Sequence, residues 1–230
     1  MDFIQTVLSA GGMFYLDEKE KNEANEAEIP DDVMSVLDEA LDHAILVSNI
    51  ASHLARVLGN SEEFCTDVAK AGLLHDIGKL RLNEYLEGDS ELIDSDVERL
   101  KYVRMHPTMG YEFLKANNLY TEEIRLAILH HHENYDGTGY PSNLKGDDIP
   151  YMSRILRVCD VFAALVSERP YRAAFDTETA IELMTDEVKN FDMEVFLAFL
   201  YMIRTTDSEE LEEYIEESNK KTLEKRKASN

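Results

Sequence analysis

The stretch DDVMSVLDEALDHAILVSNI, residues 31–50, sets Val33, Val36, Leu37, Ala40, Ala44, Val47 and Ile50 three or four positions apart. That recurrence is an apolar stripe along a helix; a strand would alternate its faces at every residue. The same register puts Glu39 and His43 four apart, so a carboxylate and an imidazole share one helix face. Outward from this segment the helical pattern continues. Ser61 followed by Glu62 and Glu63 is a helix start, with Gly78 the stop for the run through Leu74, and Thr121 with Glu122 and Glu123 opens a helix carrying Ile124, Ala127 and Ile128. A loop rich in Gly and Pro covers 136–150, and helical runs cover 152–167, 177–188 and 193–204. No segment sustains a period of two. The fold class is all-α, a helical bundle with a short N-terminal element and a charged C-terminal helix.

At 230 residues the chain is long enough to bury a core without disulfides or a structural metal. Residues 1–30 read as a short N-terminal element and an acidic linker, 31–205 as the main domain, and 206–230 as a charged tail, acidic to 217 and basic from 220. The tail reads as a solvated helix or as a helix that meets a partner. Charge excludes several function classes. Lys and Arg number 23 against 47 Asp and Glu, a net charge of −24, which repels nucleic-acid polymers and anionic membrane surfaces. No apolar run approaches the ~20 residues of a membrane-spanning helix, and no basic segment precedes the apolar start. Cys65 and Cys159 stand apart in apolar helical surroundings. They read as buried thiols in a reducing cytoplasm, with one long-range disulfide as the alternative. The nine methionines read as core filler.

The histidines carry the chemistry. His75 and Asp76 end an apolar helical run, where burying both costs desolvation. Either His75 hydrogen-bonds its neighbour, or a divalent cation offsets that cost. His106 precedes Pro107, which pushes it toward a helix junction. His130, His131 and His132 follow one another at a helix end; at about 100° per residue, two adjacent ones can flank one site. Asp160 interrupts the apolar run 155–162 and needs either a metal or an arginine such as Arg154 or Arg157. Glu39, His43, His75, Asp76, His106, His131, His132 and Asp160 together offer nitrogen and oxygen donors with no thiolate. That donor set suits Mn or Fe. It exceeds one ion's needs and implies two or three divalent ions, a pair of which is the usual clamp for phosphoester hydrolysis.

HDIGK at 75–79, MHPTMG at 105–110, HHENYDGTGYP at 131–141 and RVCDVFAALVSERPYR at 157–172 resemble, in that order, the motifs of the HD-GYP domain. The resemblance runs over about 35–202. It implies an all-α bundle and a metal-dependent phosphodiesterase that hydrolyses cyclic di-GMP, with pGpG or GMP as the product. His75 and Asp76 are then the central metal ligands, Asp76 bridging, with His43, His106, His131, His132 and Asp160 completing a two-metal site and Glu39 reaching a third ion. The resemblance also makes Asp76 and Lys79 catalytic, Lys79 by stabilising charge on the phosphate or the leaving oxygen. Arg169 and Arg172 match substrate-binding positions, and Gly137, Gly139 and Tyr140 shape the loop that admits the ligand. His53 and His130 fall outside the ligand set.

Two departures from that pattern stand out. The stretch 80–100 is acidic and lacks the proline and lysine usual there, and Leu46 stands where an arginine is usual after His43. An acidic entrance weakens attraction for a dianionic dinucleotide. The alternatives are therefore a hydrolase of another cyclic or linear dinucleotide, or a weakly active signalling module that binds metal or nucleotide. Its terminal segments would then serve a homodimer or a signalling partner.

Overall fold

The computed structural model describes residues 31–80, 102–169, 172–205 and 208–228. The element and linker expected over 1–30 and the acidic stretch over 81–100 lie outside the described residues. The described residues include eight α-helices: α1 Asp31–Val57, α2 Glu62–Leu74, α3 His106–Ala116, α4 Glu122–Leu129, α5 Tyr151–Val166, α6 Thr177–Asp186, α7 Met193–Arg204 and α8 Ser208–Ala228. Among the described residues there is no strand, only one isolated bridge between Arg169 and Arg172.

Short polar residues start several helices by giving their free amides an acceptor. Ser61 accepts from Phe64 N ahead of α2, Thr121 from Ile124 N ahead of α4, Asp176 from Thr179 N ahead of α6, and Asp192 from Glu194 N ahead of α7. Acidic side chains occupy the first turn of each, where the helix dipole favours them.

α5 is the centre of the bundle. It packs against α1, α2, α4, α6 and α7, and Ile155, Leu156, Val158, Cys159, Phe162 and Ala163 on it are fully buried. Asp160 is therefore carried into the middle of the molecule by the apolar residues around it. Cys65 and Cys159 are both free and buried, which settles the question of a disulfide. Leu46 belongs to the apolar core.

Gly78 does not stop α2. The helix ends at Leu74, and Gly78 lies just past the turn 75–77, pressed against the start of α3. A Cβ there would overlap the His106 carbonyl oxygen and crowd Gly110 N. That close approach brings the turn after His75 onto the helix that begins with His106. The C-terminal helix is likewise more than a solvated tail, since Ile215 joins the core and Thr222 is buried.

Candidate metal centre

Three helices and the turns that follow two others deliver the side chains. His43 comes from the middle of α1, His75 caps α2, Asp76 follows it, His106 opens α3, His131 and His132 follow α4, and Asp160 projects from α5. His43, His75, His106 and His131 are buried. The donors form two adjoining groups. Asp76, His106, His131 and His132 each offer one atom within 4.8 Å of the others, and so do His43, His75 and Asp160. The groups meet where His75 Nε2 lies 3.3 Å from Asp76 Oδ2 and 3.6 Å from Asp160 Oδ1.

The backbone sets which nitrogen faces inward. His75 Nδ1 donates to Gly72 O at 2.7 Å, His106 Nδ1 to Val103 O at 2.7 Å and His131 Nδ1 to Ile128 O at 2.6 Å. A carbonyl only accepts, so Nδ1 carries a proton in all three rings and Nε2 points into the site. Such an outer hydrogen bond is how a ligating histidine is commonly oriented.

The inner atoms satisfy one another only in part. His106 Nε2 is 3.2 Å from His131 Nε2 and 3.1 Å from Asp76 Oδ1. His43 Nε2 lies 3.1 Å from Asp160 Oδ1. His43 Nδ1, His75 Nε2 and Asp76 Oδ1 are buried without an aligned hydrogen-bond partner. Buried polar atoms are rarely left so, and the shortfall fits a cation-binding pocket.

Electrostatics agree with this fit. Burial and neighbouring imidazoles hold His131 well below its ordinary range, and burial takes His132 down to about 3, so both stay neutral and keep a lone pair. Burial also lowers His43. His75 goes the other way: burial lowers it, but Asp76 and Asp160 outweigh that and push it up to about 10. Burial would raise Asp76 and Asp160. The surrounding histidines, with Lys79 beside Asp76, hold both well below the carboxylate range.

The remaining expected residues are spread around this centre. Lys79 is exposed and sets Nζ 2.5 Å from Asp76 Oδ2. Tyr140 stacks on His132 with ring centroids 4.8 Å apart, and the Arg104 guanidinium stands 5.0 Å from the centroid of the tyrosine ring. Burial raises the Tyr140 phenol, which stays protonated. Gly139 is buried where a Cβ would overlap Asn134 N and Glu133 Cα, so the loop closes against its own start. Gly137 adopts φ +87°, in the left-handed region open to glycine.

Glu39 stands outside both donor groups and lines an adjoining groove with Asp42, His43, Glu168 and Arg169. Arg172 is not brought there. Its guanidinium donates to Ala164 O, Leu165 O and Ala173 O and covers the Phe175 ring. Nor do arginines neutralise Asp160 by direct pairing. Arg157 donates to Asn134 Oδ1, and Arg154 pairs with Asp147 and Asp192. His130 is buried 3.6 Å from Glu133 and contributes to neither group.

Glu133 was not singled out by the sequence. It is 1% exposed and accepts from Ser142 N at 2.6 Å and Leu144 N at 3.1 Å, tying down the far side of the loop that carries Tyr140. The only signal was a carboxylate directly after three imidazoles, with no basic partner nearby in sequence.

A model of the HD domain family matches residues 21–195. The chain is 39% identical over 137 residues to the cyclic di-GMP phosphodiesterase response regulator RpfG of Xanthomonas campestris, covering 59% of this chain and 35% of that protein. It is 35% identical over 158 residues to 3'3'-cGAMP-specific phosphodiesterase 3 of Vibrio cholerae, covering 68% of this chain and 34% of that protein. The chain thus spans about a third of the length of these curated relatives. A solved structure, Bd1817, a HDG"Y"P protein from Bdellovibrio bacteriovorus, matches with a TM-score of 0.59 at 18% identity, over 88% of this chain and 64% of that one. That last likeness is one of fold.

Proposed function

The chain belongs to the HD domain family, and from that premise we propose that it is a metal-dependent phosphodiesterase that hydrolyses cyclic di-GMP, releasing pGpG or GMP. The observation that carries the reading is the pair of adjoining imidazole–carboxylate groups, in which the inward atoms His75 Nε2 and Asp76 Oδ1 are buried without an aligned hydrogen-bond partner. Asp76, His106, His131 and His132 would hold one divalent ion and His43, His75 and Asp160 a second, and Glu39, beside His43 in the groove, would reach a third. The absence of thiolates among these donors favours Fe or Mn. Ions held there supply Lewis acidity toward phosphoryl oxygens and toward water.

The chain's own residues supply the rest. Lys79, exposed beside Asp76, neutralises charge that develops on the phosphate or the leaving oxygen. Arg169, in the groove beside His43, pairs with a phosphate or a guanine edge. Tyr140 keeps its proton, so it donates rather than accepts, and its stacking on His132 fixes where that donor points. Local cations of this kind are what bring a dianionic ligand to a chain of net charge −24. No helix among the described residues is long and apolar enough to cross a membrane. Two buried free thiols support a cytoplasmic setting.

A second reading, the same chemistry on a different cyclic dinucleotide, is supported by the 35% identity to a phosphodiesterase named for 3'3'-cGAMP. The test is metal content and turnover on one anaerobically purified sample, supplied with Mn(II) or Fe(II) and offered each dinucleotide in turn. Two or more ions per chain with pGpG or GMP released supports the first reading. Turnover confined to 3'3'-cGAMP supports the second, and full metal occupancy with no turnover on either rejects both.

A further inference from the structure

Beyond the metal ligands, the groove beside His43 has a wall that the sequence left unexplained. Ser218, Asn219 and Thr222 of α8 line it together with Glu39, Asp42, Glu168 and Arg169. With Ile215 these three share one face of the C-terminal helix at spacings of three and four. Ile215 is the residue of that face that enters the apolar core, Thr222 is buried, and Asn219 hydrogen-bonds.

Asn219 makes the decisive contact. Its Oδ1 accepts from Glu168 N at 2.9 Å and its Nδ2 donates to Val166 O at 2.8 Å. Val166 O is one of the last carbonyls of α5, which have no partner within their own helix. One amide side chain therefore closes the end of the central helix and fixes the turn that leaves it. Arg169 comes next in the chain, and its backbone is pinned on the other side by reciprocal hydrogen bonds with Arg172, at 2.9 and 3.2 Å. Arg169, which lines the groove, is therefore carried on a backbone held at both ends.

We propose that Asn219 of the C-terminal helix is a positioning residue that fixes Arg169 in the groove beside Glu39 and His43, making α8 part of the substrate-binding wall. This rests on the proposed function, in which Arg169 contacts the dinucleotide.

The test is a double-mutant cycle on the full chain loaded with Mn(II), using cyclic di-GMP, with metal content measured on every variant. Asn219→Ala should raise KM roughly five- to tenfold, the effect of about one lost hydrogen-bonded contact, with metal content unchanged. Arg169→Ala should raise KM as much, and the double variant no further, because Asn219 acts through Arg169. Asn219→Asp keeps the acceptor for Glu168 N but loses the donor to Val166 O, so it should fall between. An unchanged KM in both Asn219 variants, or effects that multiply, overturns the assignment, since a merely structural residue would weaken the fold independently of Arg169. Wild-type protein that neither binds nor turns over cyclic di-GMP overturns the proposed substrate, and this inference with it; active wild-type protein with an insensitive Asn219 overturns this inference alone.

Discussion

The Nε2 atoms of His106 and His131 stand 3.2 Å apart while both rings donate Nδ1–H to a backbone carbonyl. In that tautomer two lone pairs face each other, with an Asp76 carboxylate oxygen 3.1 Å from one of them. Three acceptors converge, and a cation is the group that reconciles them.

Replacing Asp76 by Asn tests that relationship with little change of shape. The neutral amide puts an NH₂ or a weaker oxygen donor where the carboxylate stood and removes the charge beside Lys79. Metal content should fall by about one ion per chain by elemental analysis, and turnover should drop by roughly 10²-fold or more. Normal metal content in Asp76→Asn would remove this residue from the ligand set.

Metal and pH should be linked through His75. Its pKa rises from 6.5 to about 10 in the folded chain despite burial, because Asp76 and Asp160 hold its proton. A raised folded-state value gives stability that is fully present below pH 6.5 and is lost as pH rises through about 10. Chelator-stripped protein should therefore lose stability to urea between those limits. Metal-loaded protein, in which the ion takes the proton's place, should lose less over the same range. Parallel profiles with and without metal would contradict the linkage.

Glu133 should matter to the loop more than to the ions. Glu133→Ala removes a buried carboxylate from two backbone amides, and the loss should be about 2–4 kcal/mol in urea unfolding. Cleavage by a protease within 136–150 should accelerate. Metal content should stay within error of wild type, because Glu133 belongs to neither donor group.

Gly78→Ala attacks the contact between the turn after His75 and the start of α3. The added methyl overlaps the His106 carbonyl and forces the two segments apart. Asp76 and His106 then separate, and metal affinity should fall roughly 10- to 100-fold, the range seen when a ligand's support is lost. An affinity equal to wild type by competition with a chromophoric chelator would show that the ligand set tolerates the shift.

The parts of this molecule that sequence revealed are those governed by local rules. The stripe from Val33 to Ile50 became α1, the Ser61 and Thr121 caps began α2 and α4, and the run from Met193 to Arg204 became α7. His43, His75, Asp76, His106, His131, His132 and Asp160 are brought together as the motifs implied. What escaped depends on approach between distant segments. Gly78 looked like a helix stop, but its lack of a side chain serves a contact with His106, 28 positions on. Arg172 matched a binding position, yet the carbonyls ending α5 claim its guanidinium. The polar face around Asn219 carried no signal, because a charged helix reads the same whether it floats or docks.

The carbonyls that hold the ring nitrogens have a consequence for motion. Gly72 and Ile128 lie in the last turns of α2 and α4, the places where helices fray first. When such a turn unwinds, its imidazole loses both its aim and its fixed tautomer, so fraying and ion release form one equilibrium. Added metal should then slow amide exchange in those two turns more than elsewhere in the bundle. By the same linkage, any change that tightens the end of α2 or α4 strengthens ion binding without touching a donor atom.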